Sequence, residues 1–367
     1  MDRRQLLGAG GVIASGALAA APASAAQPKA GRTGPPPKFL RIATEEAWSI
    51  PEHVNAMAAA GRTMWDNLDA EQVRGMNTGA GIGKSLVDTA DRLREMDALG
   101  VDMHLLSLTS PGVQMFDADT AVGMAALAND RMAEIVRGNP SRFAGLASFS
   151  PQDPKRAVIE MDRAINKLKL NGFVVNSHTG NQYLDEQKFW PILEAAEALN
   201  APIYIHPRCP ADNMAAQFRT YRMQAAIWGY AIETGTHAVR LMLSGVFDRF
   251  PNLKIVLGHM GENIPFHLWR TDHFYFRRRD SYPSKLSPME VFKRNFYITT
   301  SGVEHGPALR YAIEVLGADR VMWAIDYPYE QSAPSVKFMN EVEIPDADKA
   351  LVFGANAQRI FNIRRGG

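Results

Sequence analysis

The sequence predicts an α/β protein whose eight parallel strands close into a (β/α)8 TIM barrel, and three observations lead there. Eight short β-rich runs alternate with longer amphipathic stretches across residues 39–367, the order that parallel βαβ units produce. Runs such as Ile203-Tyr204-Ile205 and Ile255-Val256-Leu257 are continuously apolar, as strands covered on both faces are. No strand run leads into a glycine-rich phosphate loop, which removes the main reason to prefer an open doubly wound sheet.

The strands are expected at Leu40–Ala47, Met103–Thr109, Phe143–Ser150, Gly172–His178, Pro202–Pro207, Lys254–Gly261, Phe296–Gly302 and Val321–Pro328. Helical stretches separate them, among them Asp91–Leu99, Thr120–Gly138, Pro154–Leu170 and Gln187–Leu199. In the third of these, Ala157, Met161, Ala164, Ile165 and Leu168 form a stripe at helical spacing, the mark of one buried face. Two segments break the pattern, Ser49–Thr89 after the first strand and Ala211–Gly229 after the fifth. Both follow strand C-termini, where barrel enzymes carry substrate loops and lids.

The N-terminus has a different character. Arg3-Arg4 precedes a Gly/Ala-rich apolar run that closes on Ala23-Ser24-Ala25. A charged start, a short apolar stretch and a small-x-small site describe an export signal, and the paired arginines resemble a twin-arginine signal. Residues 1–25 are therefore expected to be a signal peptide that directs the chain to the periplasm. Residues 26–38, with Pro28 and Pro35-Pro36-Pro37, form a linker, and 39–367 a single barrel domain. No later segment is apolar enough to hold the processed protein in a membrane.

Composition narrows the chemistry. With 40 basic and 39 acidic side chains there is no electrostatic case for nucleic acid. The single cysteine, Cys209, excludes an internal disulfide and any cysteine-rich metal site, so a bound metal must be held by His, Asp or Glu. Such residues recur at strand ends: Glu45-Glu46 on the first, His206 on the fifth, His259 and Glu262 on the sixth, and Asp326 on the eighth. On a barrel these ends converge at the mouth where active sites are assembled. One of Glu45 and Glu46 is expected to face that mouth and the other solvent. Polar residues at the same end of four strands would leave charges in a closed mouth, which is costly unless they are paired or bind a cation. Two carboxylates and an imidazole suit Mn2+ or Zn2+, and three protein ligands leave coordination positions for substrate. Glu262 could hold the His259 imidazole in one tautomer and support its protonated form.

These motifs carry a resemblance. Ile42–Trp48, Leu108–Gln114, Asn176–Thr179, Tyr204–Arg208, Gly245–Arg270, Thr299–Val303 and Asp326-Tyr327-Pro328-Tyr329-Glu330 resemble the amidohydrolase superfamily. More narrowly they resemble its metal-dependent, non-oxidative aromatic acid decarboxylases, of the γ-resorcylate, 2,3-dihydroxybenzoate and 5-carboxyvanillate types. The resemblance spans nearly all of Leu40 to Ile363. The Asn176–Thr179 stretch, Tyr183-Leu184-Asp185-Glu186 and Tyr329 look most like the 5-carboxyvanillate type. It implies a barrel of the amidohydrolase type, with one divalent metal, Mn2+ or Zn2+, held by Glu45, His206 and Asp326. Further, it implies His259 and Glu262 as a proton relay, Arg270 as a contact to substrate carboxylate and Tyr329 as a pocket wall. Many superfamily members carry His-x-His on the first strand; Glu45 and Ala47 stand there instead, which narrows the branch. The implied reaction is loss of CO2 from an ortho-hydroxybenzoate-type acid, with Asp326 protonating the ring carbon that bears the carboxylate and no organic cofactor. A homo-oligomer is implied as well. A metal-dependent hydrolase or lactonase on the same barrel is the alternative, and a non-catalytic exported binding protein a further one. Arg62 or Arg74, in the loop after the first strand, is a candidate for a second anion contact, with no choice made between them.

Overall fold

A computed structural model describes residues 38–64, 67–75 and 81–363. The signal peptide expected over 1–25 and all of the 26–38 linker but Lys38 lie outside the described residues. Eight strands lie side by side in chain order, each parallel to the next: β1 Ile42–Trp48, β2 Met103–Leu108, β3 Phe143–Ser148, β4 Gly172–Asn176, β5 Ile203–His206, β6 Ile255–Leu257, β7 Phe296–Thr299 and β8 Val321–Met322. The ring is drawn shut by backbone bonds from Thr44 N to Trp323 O (3.1 Å) and from Asp326 N to Glu45 O (3.0 Å). This is the (β/α)8 barrel the alternation predicts.

Strand alternation divides the apolar residues into two cores. Ile42, Leu105, Leu146, Val174, Tyr204 and Val256 fill the barrel interior. Alternate residues such as Ala43, Leu106, Phe173, Ile203 and Ile255 join the core beneath the helices. The predicted stripe on Pro154–Asn166 turns Ala157, Met161 and Ala164 inward, with Ile165 and Leu168 packed at its edge. Asp153 caps this helix by accepting from Arg156 N at 3.1 Å, and Pro154 occupies the first turn, where a missing N–H costs nothing. The helix ends four residues earlier than expected. Lys169 adopts φ 62° and turns the chain into β4.

The strands are shorter than the β-rich runs, most of all β8. Beyond Met322, backbone groups leave the ladder for specific partners: Trp323 N bonds Val352 O, and Ala324 N bonds Thr300 Oγ1. The expected lids are built of short helices, Pro51–Thr63, Leu68–Gly75 and Ile82–Val87 after β1, and Ala216–Arg219 after β5. They interlock. Asp69 of the first pairs with buried Arg208 through both Nε (3.0 Å) and Nη2, and accepts from Cys209 N at 3.2 Å. Leu68 packs with Cys209 and Ala215 beside Tyr230. Cys209 is thus a wall residue. Among the described residues no helix is long and apolar enough to cross a membrane.

Candidate active site

Strand ends from β1, β5, β6 and β8 bring four side chains together. Glu45 Oε1 lies 3.4 Å from His206 Nε2 and 3.7 Å from His259 Nε2, and His259 Nε2 lies 3.6 Å from Asp326 Oδ2. His259 Nδ1 is 2.8 Å from Glu262 Oε1.

Each group is aimed by local structure. A register shift against β2 between Ala43 and Glu46 inserts one extra residue, and such a bulge re-aims the side chains beyond it. Glu45 therefore enters the barrel mouth. Its Oε2 accepts from Tyr204 OH, Ser301 Oγ and, at 3.0 Å, Thr299 Oγ1, which leaves Oε1 buried with no hydrogen-bond partner. A Cβ on Gly258 would stand 2.6 Å from Glu45 Oε2, so a side chain there would displace the carboxylate. His206 Nδ1 lies 2.8 Å from Pro207 O. A carbonyl only accepts, so Nδ1 carries the proton and Nε2 presents its lone pair. His259 to Asn263 all take positive φ, a left-handed turn that costs roughly 1–2 kcal/mol for each residue with a side chain. His259 N donates to Ser301 Oγ at 2.9 Å and helps to fix it.

The electrostatics follow. Burial opposes charge on Glu45, but His259 and the Ser301 and Tyr204 hydroxyls outweigh it and lower its pKa. Burial also opposes the imidazolium of His259, yet Glu45, Glu262 and Asp326 hold its pKa well above the ordinary value. Asp326 is raised, by burial first and by Glu45, against the pull of His259. Glu262 is raised by burial, with His259 acting the other way.

A divalent cation fits here. His206 Nε2 and Glu45 Oε1 are two lone-pair atoms facing each other at 3.4 Å, and Asp326 Oδ1 is buried without a partner. One ligand atom each from Glu45, His206 and Asp326 falls within a 4.8 Å span.

The other predicted residues are placed less uniformly. Tyr329 is held by Thr109 Oγ1 at 2.6 Å, and its amide donates to Asp326 O at 2.9 Å; burial pushes its hydroxyl up to about 12. Arg270 is exposed on the helix Ile264–Arg277, its guanidinium 4.8 Å over Phe274, and makes none of the contacts described around Glu45. Arg62 is exposed, while Arg74 donates to Gly61 O and Met64 O. The expectation that one of Glu45 and Glu46 faces solvent is corrected: both are buried, at 2% and 0% exposure. Glu46 points between β1 and the helix layer, where backbone amides and Arg92 work against the burial that raises its pKa.

Sequence reasoning missed Tyr204, Thr299 and Ser301. The i, i+2 spacing of Tyr204 to His206 was the available signal, since it puts both on one strand face. It missed Tyr230 as well, whose hydroxyl is raised by burial first and then by Cys209, Asp69, Tyr329 and Asp326. A cavity of ≈ 390 Å³, lined by His259, Met260, Asn263, Val303, His305 and Tyr311 among others, reaches the site at His259 and falls in the size range of small-ligand pockets.

The amidohydrolase family model matches residues 83–363. The chain is similar to the solved 5-carboxyvanillate decarboxylase LigW of Sphingomonas paucimobilis, 53% identical with a TM-score of 0.87 over 89% of this chain and 100% of that one. The 5-carboxyvanillate decarboxylase of Novosphingobium aromaticivorans, solved with manganese and 4-hydroxy-3-methoxy-5-nitrobenzoic acid, is 36% identical with a TM-score of 0.85, covering 89% of this chain and 96% of that one. The gamma-resorcylate decarboxylase of Polaromonas sp. (strain JS666) is 37% identical over 291 residues, 76% of this chain and 89% of its own length.

Proposed function

The chain belongs to the amidohydrolase family, and from that membership we propose that it is a metal-dependent carboxy-lyase. Its substrate would be an aromatic acid with a hydroxyl ortho to the carboxylate, of the 5-carboxyvanillate or dihydroxybenzoate kind. The observation that carries this reading is the facing pair of lone-pair atoms, Glu45 Oε1 and His206 Nε2, with Asp326 beside them. Similarity to decarboxylases over most of the chain supports the reaction class.

Glu45, His206 and Asp326 would hold one Mn2+ or Zn2+. When bound, the ion supplies Lewis-acid stabilisation of the charge that develops on substrate oxygen. Asp326 delivers a proton to the ring carbon bearing the carboxylate, and must itself be protonated before that step. The bond from ring to carboxylate then breaks, CO2 leaves, and its electron pair restores the aromatic ring. His259, oriented by Glu262, passes a solvent proton back to Asp326, so each turnover consumes one proton and releases one CO2. Tyr329, fixed by Thr109, limits the pocket beside Asp326.

Assembly into a homo-oligomer belongs to the same proposal. Phe266, Trp269 and Phe276 are 77%, 67% and 57% exposed on the helix Ile264–Arg277, and a cluster of this kind marks an interaction surface. Arg270 lies on that helix and would meet substrate carboxylate only across such a contact. Export through the twin-arginine-like segment is proposed from residues 1–25 alone; a secreted chain beginning near Ala26 would support it, and an uncleaved chain in the cytoplasm would reject it.

The test of function is a panel of carboxyvanillate and hydroxybenzoates with Mn2+ or Zn2+, read as CO2 release in 18O-labelled water. Stoichiometric CO2 with no label in the aromatic product supports the reading. No turnover on the panel, or label in that product from a hydrolysis, rejects it.

A further inference from the structure

The Glu45-Glu46 doublet leaves one buried carboxylate that the reaction does not use. Glu46 is fully buried. Its Oε1 accepts from Ile325 N at 3.0 Å and its Oε2 from Tyr327 N at 3.3 Å. These are the amides on either side of Asp326. The Asp326 amide itself donates to Glu45 O at 3.0 Å. Three successive amides of the segment after β8 are thus bound by two successive residues of β1. Asp326 needs such a clamp because it sits at φ 75°, a left-handed conformation that a residue with a side chain adopts only where its surroundings impose it.

Behind Glu46 stands Arg92. It is buried, donates Nη2 to Ala47 O at 2.5 Å, and lies 4.4 Å over the Tyr327 ring. Its Nη1 lies 3.5 Å from His104 Nδ1, which in turn is 3.6 Å from Glu46 Oε2. The clamp is therefore braced from the helix Thr89–Leu99, which carries Arg92.

We infer that Glu46 is a positioning residue for Asp326, holding the backbone on both sides of it so that its carboxylate faces Glu45 and His206. The doublet divides the labour: Glu45 presents a carboxylate to the site, and Glu46 sets the geometry of the opposite strand end. This rests on the reading of Asp326 as metal ligand and proton donor. The competing explanation is that Glu46 serves only as the charge partner of Arg92.

Glu46→Gln separates them. A glutamine can accept from one of the two amides, but its NH2 confronts the other as donor against donor. Loss of an amide–carboxylate bond predicts a kcat about 10- to 100-fold lower, with KM little changed and Mn2+ bound more weakly by calorimetry. Glu46→Gln also removes the buried carboxylate that acts electrostatically on Arg92, so Glu46→Gln/Arg92→Met, which removes both groups together, is the decisive companion. Positioning predicts that the double variant regains thermal stability while kcat and Mn2+ affinity stay low. Glu46→Asp, which keeps the charge near Arg92 but draws both oxygens back from the amides, is expected to show the same loss. Recovery of kcat in step with Tm in the double variant, or parental kcat and Mn2+ affinity in Glu46→Gln or Glu46→Asp, would overturn the inference. If the parent binds Mn2+ but releases no CO2, the proposed reaction falls while the affinity comparison still decides the role of Glu46.

Discussion

Replacing His237 with glutamine should make the protein less stable at neutral pH, by a deficit that shrinks as the solution is acidified. His237 is fully buried on the helix Gly229–Leu243. Its Nε2 accepts from Leu184 N at 3.1 Å, so the ring is neutral with its proton on Nδ1, facing Ser177 Oγ at 3.3 Å. Burial, with Arg240 nearby, depresses its pKa to about 3. A histidine kept neutral in the fold binds its proton only on unfolding. Its contribution is complete above the unfolded pKa of about 6.5 and is lost as pH falls toward the folded value. Integrating that linkage, His237 alone removes about 1 kcal/mol between roughly pH 6.5 and 5.5, and a further ~1.4 kcal/mol per unit below. Other groups titrate in the opposite sense, Glu262 being raised by burial, so only the difference between parent and variant isolates His237. The variant, losing part of the bonding to Leu184 and Ser177, should start about 1–3 kcal/mol less stable. Urea unfolding of both proteins at the two pH values measures the difference. A deficit that stays constant or widens on acidification would refute the claim that His237 is held neutral.

Two further perturbations probe the lids and the carboxylate cradle. Asp69→Asn leaves buried Arg208 without its charge partner, so stability should fall by roughly 3–5 kcal/mol and KM should rise as the two lids part; unchanged Tm and KM would show that the pair does not latch them. Ser301→Ala removes a donor to Glu45 Oε2 and the acceptor for His259 N, and should weaken Mn2+ binding or turnover about 10- to 100-fold, as loss of a hydrogen bond that orients a metal ligand does. Calorimetry and initial rates read it directly, and parental values of both would remove Ser301 from the site's support.

Much of this organisation was legible in the chain, and the part that was not has physical causes. Alternation of apolar strands with amphipathic helices sufficed for the barrel, because parallel strands must be covered on both faces. The strand-end positions of His206, His259 and Asp326 sufficed to place them at one mouth. Strict alternation from inward-facing Ile42, however, would send Glu46 and not Glu45 into the barrel. The bulge between Ala43 and Glu46 reverses the parity, and a bulge leaves no reliable mark in composition. The support of Glu45 was hidden for a similar reason. Tyr204, Thr299 and Ser301 meet one carboxylate oxygen only once β1, β5 and β7 are in register, and hydroxyl residues are common in strands. The Asp69–Arg208 pair spans 139 positions and depends on how two irregular loops close on each other, which local periodicity cannot report.

The most direct test of the central claim is to run the reaction in D2O with Mn2+ present and follow the ring carbon vacated by CO2. If Asp326 delivers the proton, the product carries one deuterium at that carbon for each CO2 released. Asp326→Asn should then abolish both CO2 release and deuterium incorporation. A fully active Asp326→Asn variant, or CO2 release without deuterium at that position, would contradict the account.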